Sequence, residues 1–509
     1  MSPTASASSI AAGPAPAPRA ARRFSRFTQA TRWARRTAFL VHRWLGIGLA
    51  LLMAIWALSG ITMMYVSFPE TSAEERVAGL APLDLAGCCD LVGLPEGAID
   101  DATVEMVAGE PVLRWRGEDG PELAGLAGPA RPIGPEVAAD IAATYMRQAF
   151  GEAPVVDVVP IDRDQWTVYG RFRDHAPLYK ASFADERGTV LYVSGKTGEV
   201  VQDTTARERF WNWLGAVPHW LYFTAFREIQ PLWYDVVVYA SLLGIFLTVT
   251  GIYVGVRMYG RGRRKSPFRG IALWHHWTGL IFGLATLTWV LSGLASMQPW
   301  GWLESRGPGE ELENLARRPA VAADAAVLVK ALAAHPRQGV VSAELTVQDG
   351  TPYAILVGAD GSRTRASLPD LRPAPPSITE LVVRARQAKP GVPLAWQGTI
   401  EEGDAYHYSH HTRAILPAWR VIYGNNDETR LYFDPRTAEL IGFADAPARA
   451  FRWWHYGLHR LDFAGLNARP LWDVVMLPLI AGISLLCGLG VWMGFRRLTR
   501  RERRSRGLS

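Results

Sequence analysis

The stretch His42–Gly60 (HRWLGIGLALLMAIWALSG) recurs without a gap as His275–Gly293 (HHWTGLIFGLATLTWVLSG). Both copies are apolar and close to the roughly 20 residues that a helix needs to cross a hydrocarbon core about 30 Å thick. Inside lipid every backbone polar group must be paired within the chain, so each copy reads as a membrane-spanning helix. His42 matches His275, Trp44 matches Trp277, Gly46 matches Gly279 and Trp56 matches Trp289. Leu58-Ser59-Gly60 matches Leu291-Ser292-Gly293. Lipid selects against ionisable groups, so a histidine at one depth in both copies is a functional candidate.

Two further stretches have the same character, giving four in all at 38–66, 233–257, 271–298 and 471–495. A hydrophobic share of 49% and 20 tryptophans agree with a membrane class. No signal-peptide pattern is read ahead of the first stretch, which is too long for one and lacks a small-residue cleavage site. The net charge of +6 hides a partition. Residues 1–36, the loop 257–270 and the tail 496–509 together hold twenty basic residues and one acidic residue. Short basic segments mark the cytoplasmic side. Both termini and the central loop are therefore expected inside, with the two long segments outside. The basic clusters follow from topology and from anionic lipid headgroups; no nucleic-acid partner is expected.

The expected domain order is a disordered basic segment 1–36, spans at 37–68, 230–257, 271–298 and 470–495, a basic loop 258–270 and a basic tail 496–509. External α+β domains with amphipathic connectors occupy 69–229 and 299–469. In the first, 135–150 has helical spacing and Pro111–Trp115 is strand-like. Alternating runs at Gln165–Phe172, Leu178–Phe183 and Val190–Val193, a turn at Lys196-Thr197-Gly198 and then Glu199-Val200-Val201 read as an antiparallel meander. The second external segment repeats the first at a spacing of 240: Pro177 with Pro417, Lys180 with Arg420, Leu191-Tyr192 with Leu431-Tyr432, Glu199 with Glu439, Arg209 with Arg449. The match reaches His219 and His459, and continues at 239 to Gly251 with Gly490 and Gly255 with Gly494. The chain reads as a tandem duplication with both halves in one orientation.

The repeat selects four of eleven histidines. His42 and His275 lie near the cytoplasmic ends of spans one and three. His219 and His459 lie in aromatic connectors just outside spans two and four. Two imidazoles facing each other in a helix bundle suit bis-histidine ligation of a b-type haem, an apolar macrocycle whose iron takes neutral imidazole nitrogens. Gly46 and Gly279, one turn on, would let a macrocycle approach the backbone, and Arg43 and Arg460 could pair with its propionates. Two choices stay open: His276 stands beside His275, and His455 stands one turn before His459. Tyr406–His411 (YHYSHH) is specific to the second half, and a surface or substrate-contact role competes with solvated strand residues. Cys88 and Cys89 are read as an external loop and Cys487 as a packing residue. There is no P-loop, GxSxG, HExxH or dinucleotide fingerprint.

HRWLG at 42–46, HHWTGL at 275–280, LYVSGKTGEVV at 191–201, LYFDPRTAEL at 431–440 and HYGLHRLDF at 455–463 together resemble the PepSY-associated transmembrane family over about residues 35–500. That resemblance implies a bacterial inner-membrane protein, an α-helical four-span bundle with two periplasmic α+β PepSY-like domains. Ferric-siderophore reductases of the ferrioxamine-reductase type are among the members. The expected function is that of a di-haem b electron-transfer protein, with His42/His275 and His219/His459 as axial pairs. It takes electrons from a quinol or a cytoplasmic donor and reduces a ferric siderophore or other ferric chelate outside. The alternatives are a membrane-anchored PepSY binding module, and a siderophore or metal permease.

Overall fold

A computed structural model describes residues 19–505 apart from 87, 90–96, 118–119, 261–264 and 409–413, with side chains between 33 and 499. Among the described residues four helices are long and apolar enough to cross a bilayer: Trp33–Met63, Gln230–Met258, Ile271–Ser296 and Leu471–Thr499. Their backbone groups are paired within each helix, as lipid requires, and the chain is a multi-pass membrane protein. The first span continues a helix that starts at Arg19. Residues 19–36, expected to be disordered, therefore belong to it: alanine and arginine favour helix, and a helix already nucleated by the span extends at little cost.

Two compact units make up the chain. One consists of Met1–Ala54, Leu242–Val290 and Ala481–Ser509. Its helices meet closely where glycines leave room. A side-chain carbon at Gly251 would lie 2.7 Å from His42, one at Gly283 would lie 3.1 Å from Ile252, and Phe282 fills the space over Gly482.

The other unit, Ile55–Ser241 and Leu291–Ile480, holds the sheets. From its first segment come β1 (Asp100–Val107), β2 (Glu110–Gly117), β3 (Gly120–Gly125), β4 (Val155–Ile161), β5 (Leu178–Phe183), β6 (Val190–Ser194) and β7 (Val200–Thr204). From its second come β8 (Val340–Gln348), β9 (Thr351–Gly358), β10 (Arg363–Ser367), β11 (Arg372–Pro373), β12 (Leu394–Ile400), β13 (Ala418–Tyr423), β14 (Arg430–Phe433) and β15 (Leu440–Ala444). β4-β5-β6-β7 and β12-β13-β14-β15 are separate antiparallel sheets. Helix Pro135–Ala149 packs on the first, burying Ile141 and Met146 against Ala181 and Leu191. Helix Ile378–Ala388 packs on the second, burying Leu381 and Ala385 against Val421 and Leu431. The remaining strands form one seven-stranded sheet in the order β11-β10-β9-β8-β1-β2-β3. β1 and β8 join it across the two segments, Thr103 opposite Glu344 and Val104 opposite Ala343. Helix Ala322–Ala334 covers it with Leu328, Val329 and Leu332.

Two expectations are corrected. Gln165–Phe172 is not a strand. It turns around Asp164, whose carboxylate accepts from the Trp166 amide at 2.9 Å, Lys180 Nζ at 2.9 Å and the Tyr192 hydroxyl at 2.8 Å. These bonds compete with a ladder, and β4 takes the edge position instead. In the second segment Asp404 likewise binds Arg420 and Tyr432. Tyr406-His407-Tyr408 therefore also lies in a turn rather than along a strand. His407 is buried, stacked on Tyr432 at 4.7 Å and bonded through Nε2 to the Ile415 carbonyl at 3.0 Å. Ser409, His410 and His411 lie outside the described residues. Cys88 and Cys89 are bonded to each other and pack against the seven-stranded core. Cys487 is buried in the fourth span.

Candidate functional site

His42 and His275 approach each other within the helical unit, their ring centroids 6.2 Å apart and their planes 37° apart. His42 donates from Nδ1 to the Leu247 carbonyl at 3.0 Å. A carbonyl only accepts, so the hydrogen sits on Nδ1 and the lone pair on Nε2. Gly251, one turn beyond Leu247, lies against the same ring. Gly490 of the fourth span does the same for His275. His275 Nδ1 is buried, and the Leu486 carbonyl beside it is not placed for a well-formed hydrogen bond.

His276 faces elsewhere. Its Nε2 donates to the Gly255 carbonyl at 2.9 Å and its Nδ1 accepts from Ser266 Oγ at 2.9 Å. Both nitrogens are therefore engaged, and the ring ties the second span to the loop before the third. Gly46 and Gly279 lie one turn beyond His42 and His275. Each receives a leucine from the neighbouring helix, Leu247 and Leu486 respectively. Adjacent helices close on a glycine with whatever side chain stands opposite, and here that is leucine. Arg43 is exposed.

His219 and His459 approach each other in the sheet-bearing unit, also at 6.2 Å but with planes 84° apart. Each sits on a short helix some ten residues ahead of its span, Ala216–Trp220 and Leu458–Arg460. His219 Nδ1 donates to Ser59 Oγ and to the Trp56 carbonyl, both at 3.1 Å. Ser59 Oγ itself donates to the Trp56 carbonyl, so the histidine must supply its own hydrogen and Nε2 carries the lone pair. Ser292 Oγ stands 3.0 Å from His459 Nδ1, matching Ser59. Gly60 and Gly293 border the two rings, each with room for a carbon 3.7 Å away. Burial lowers His219 to about 4, so it is neutral near pH 7, as a metal ligand must be.

His455 occupies a π-helical turn, Arg452–Gly457, a device that re-aims side chains at functional sites. Its ring lies 5.3 Å from His459 and its Nδ1 donates to the Ser292 carbonyl at 3.3 Å. Burial, then the Arg460 charge, lowers it to about 4. The Arg460 guanidinium stacks over Tyr456 at 5.0 Å. Arg452 and Asp462, both buried, pair at 3.0 Å and close the loop carrying both histidines. Sequence reasoning passed over Ser59 and Ser292 as second partners of the histidines. The signal was present in the repeated LSG, whose serine is the only polar member.

Two facing imidazoles can hold one metal atom between them. Among the described residues no three or more His, Cys, Asp or Glu side chains gather for a metal ion. The family model described as the PepSY-associated TM region matches residues 39–354. No curated protein matches the chain.

Proposed function

The chain belongs to the PepSY-associated TM region family, whose model covers more than half of it, and on that premise we propose an inner-membrane b-haem electron-transfer protein built by tandem duplication. Its termini are cytoplasmic and its two sheet-bearing segments periplasmic, a reading supported by the twenty-to-one basic bias of the short segments. It draws electrons from a quinol or a cytoplasmic donor and reduces a ferric siderophore or similar chelate outside.

The observation that carries this is the ring spacing. A metal–imidazole bond of about 2 Å on each side, plus about 1 Å from nitrogen to ring centre, asks for about 6 Å between centroids. Both pairs stand at 6.2 Å. A pair alone leaves the other metal positions to a ligand that is not a side chain, which suits a macrocycle. The Nδ1 bonds of His42 to Leu247 and of His219 to Ser59 are the outer contacts that orient ligating imidazoles. His42 and His275 would hold one haem, and His219 and His459 the second, with His455 beside it. Bound there, haem supplies one-electron chemistry at a potential set by its two imidazoles and its burial. At the second pair the spacing fits, but the space around its midpoint is taken up by Trp56.

Purified protein should show a low-spin b-type spectrum. His42→Ala and His275→Ala should lose one haem signal, His219→Ala and His459→Ala the other, and His276→Ala neither. Ferric-chelate reduction should fail in all four ligand variants. A colourless protein from haem-replete cells would overturn the reading and favour a membrane-anchored binding module.

A further inference from the structure

The helix Ala206–Leu214 follows β7 directly and leaves its apolar face bare. Phe210, Trp211, Trp213 and Leu214 are 60%, 40%, 49% and 51% exposed. At about 100° per residue the four fall within an arc of about 160°. Asn212 stands opposite that arc. It is buried, and its Nδ2 donates to the Ser67 carbonyl at 2.8 Å. One face of the helix is thus fixed to the protein while the other presents a run of large apolar side chains. Such a patch on a folded chain marks a contact with protein or with lipid.

The attachments of the connector decide between the two. Ser67 lies four residues beyond Met63, where the first span ends. Downstream, the Trp220 carbonyl accepts from Trp233 Nε1 at 2.9 Å, and Trp233 belongs to the first turn of the span Gln230–Met258. The connector is therefore tied to two spans at the ends that flank the first sheet-bearing segment. The second half repeats this attachment: Trp472 Nε1, in the first turn of its span, donates to the Arg460 carbonyl at 2.6 Å. Trp453 and Trp454, which match Trp213 and Leu214 at the spacing of 240, are 41% and 37% exposed. The Trp454 ring lies 5.3 Å from Trp302, six residues past the end of the third span. Tryptophan is enriched where spans leave the hydrocarbon, because its ring is apolar and its N–H is polar.

We propose that helix Ala206–Leu214 lies in the bilayer surface beside the sheet-bearing segments, with Phe210, Trp211, Trp213 and Leu214 inserted at the boundary of headgroups and acyl chains, and that Trp453 and Trp454 seat the second connector on the same leaflet. Arg207, one turn earlier on the inserted face and exposed, extends its charged end to the headgroups. Arg209 is turned to the Thr204 and Gly188 carbonyls and Glu208 caps the helix, so apolar area rather than headgroup charge drives the contact. The helix ends five residues before His219, and the lipid contact thereby fixes the depth of the connector that carries this histidine. The proposal is independent of the haem reading.

The test is site-directed spin labelling of full-length Cys487→Ser protein in phosphatidylcholine nanodiscs, with collision rates measured against oxygen, which enters lipid, and a neutral nickel chelate, which stays in water. Labels go on Phe210→Cys, Trp213→Cys and Trp453→Cys. Tyr239→Cys, exposed within the second span, is the lipid control, and Val156→Cys, exposed on β4, is the water control. The oxygen-to-nickel ratio at 210, 213 and 453 should exceed that at 156 by at least about fivefold, as for groups buried about 5–10 Å into the interface. Each site is read separately, so loss of one variant leaves the others to decide. A ratio at 210 and 213 equal to that at 156, with 239 reading lipid, would overturn the proposal while the spans stand. Shielding from both reagents would also overturn it and assign the patch to a contact between copies of the chain. A water reading at 239 would overturn the membrane span itself.

Discussion

Three of the four proposed ligands, His42, His219 and His459, are held from behind. A histidine that gives its Nδ1 hydrogen to a carbonyl or hydroxyl presents Nε2 in one tautomer and one orientation, and loss of such an outer partner commonly weakens metal affinity about 10- to 100-fold. Ser59→Ala and Ser292→Ala should therefore weaken haem retention by that order at the His219–His459 pair and spare the other pair. Haem transfer to a competing apo-protein measures it, and equal loss from both pairs would contradict the assignment. His42 has a backbone partner, the Leu247 carbonyl, so no single side-chain deletion should loosen it in the same way. Residue identity alone made His275 and His276 equivalent. They part because the Ser266 hydroxyl and Gly255 carbonyl occupy both nitrogens of His276, contacts that depend on how the second span and its loop pack.

The strands that repeat at 240 residues were legible because they alternate or carry turn signals between apolar runs. Their pairings, such as Ala181 with Leu191 and Val421 with Leu431, follow from that pattern. The joining of β1 to β8 was not legible: two edge strands more than two hundred residues apart pair through backbone groups, which any sequence supplies. Directly opposed antiparallel residues stand about 4.5–5.5 Å apart at Cα, within disulfide reach. Thr103→Cys combined with Glu344→Cys should therefore cross-link spontaneously. After tryptic cleavage in the basic loop near Lys265, the two halves should stay together on a gel until reduced. Separation without reductant would refute the shared sheet. The ion pair Arg452–Asp462 and the π-helical turn between them were equally hidden, since helix periodicity carries no mark of a single inserted residue.

For the whole chain, the proposed orientation in the bilayer rests on charge. Reporter fusions at residues 120, 265, 360 and 505 should read outside, inside, outside and inside; an outside signal at 265 would sink the proposed topology. The four spans were readable because crossing lipid demands long apolar runs, and the helices Trp33–Met63, Gln230–Met258, Ile271–Ser296 and Leu471–Thr499 meet that demand.

By itself the sequence determined which segments enter the membrane, that the pattern of one half returns in the other, and which four histidines recur. Those are one-dimensional properties: apolar length, spacing and residue type. Only the tertiary structure decided that His42 stands 6.2 Å from His275 and His219 the same distance from His459, that Ser59 and Ser292 back the second pair, and that Trp56 fills the space beside it. Distance, tautomer and occupied volume belong to groups brought together from remote parts of the chain, and close packing sets them at the level of single atoms.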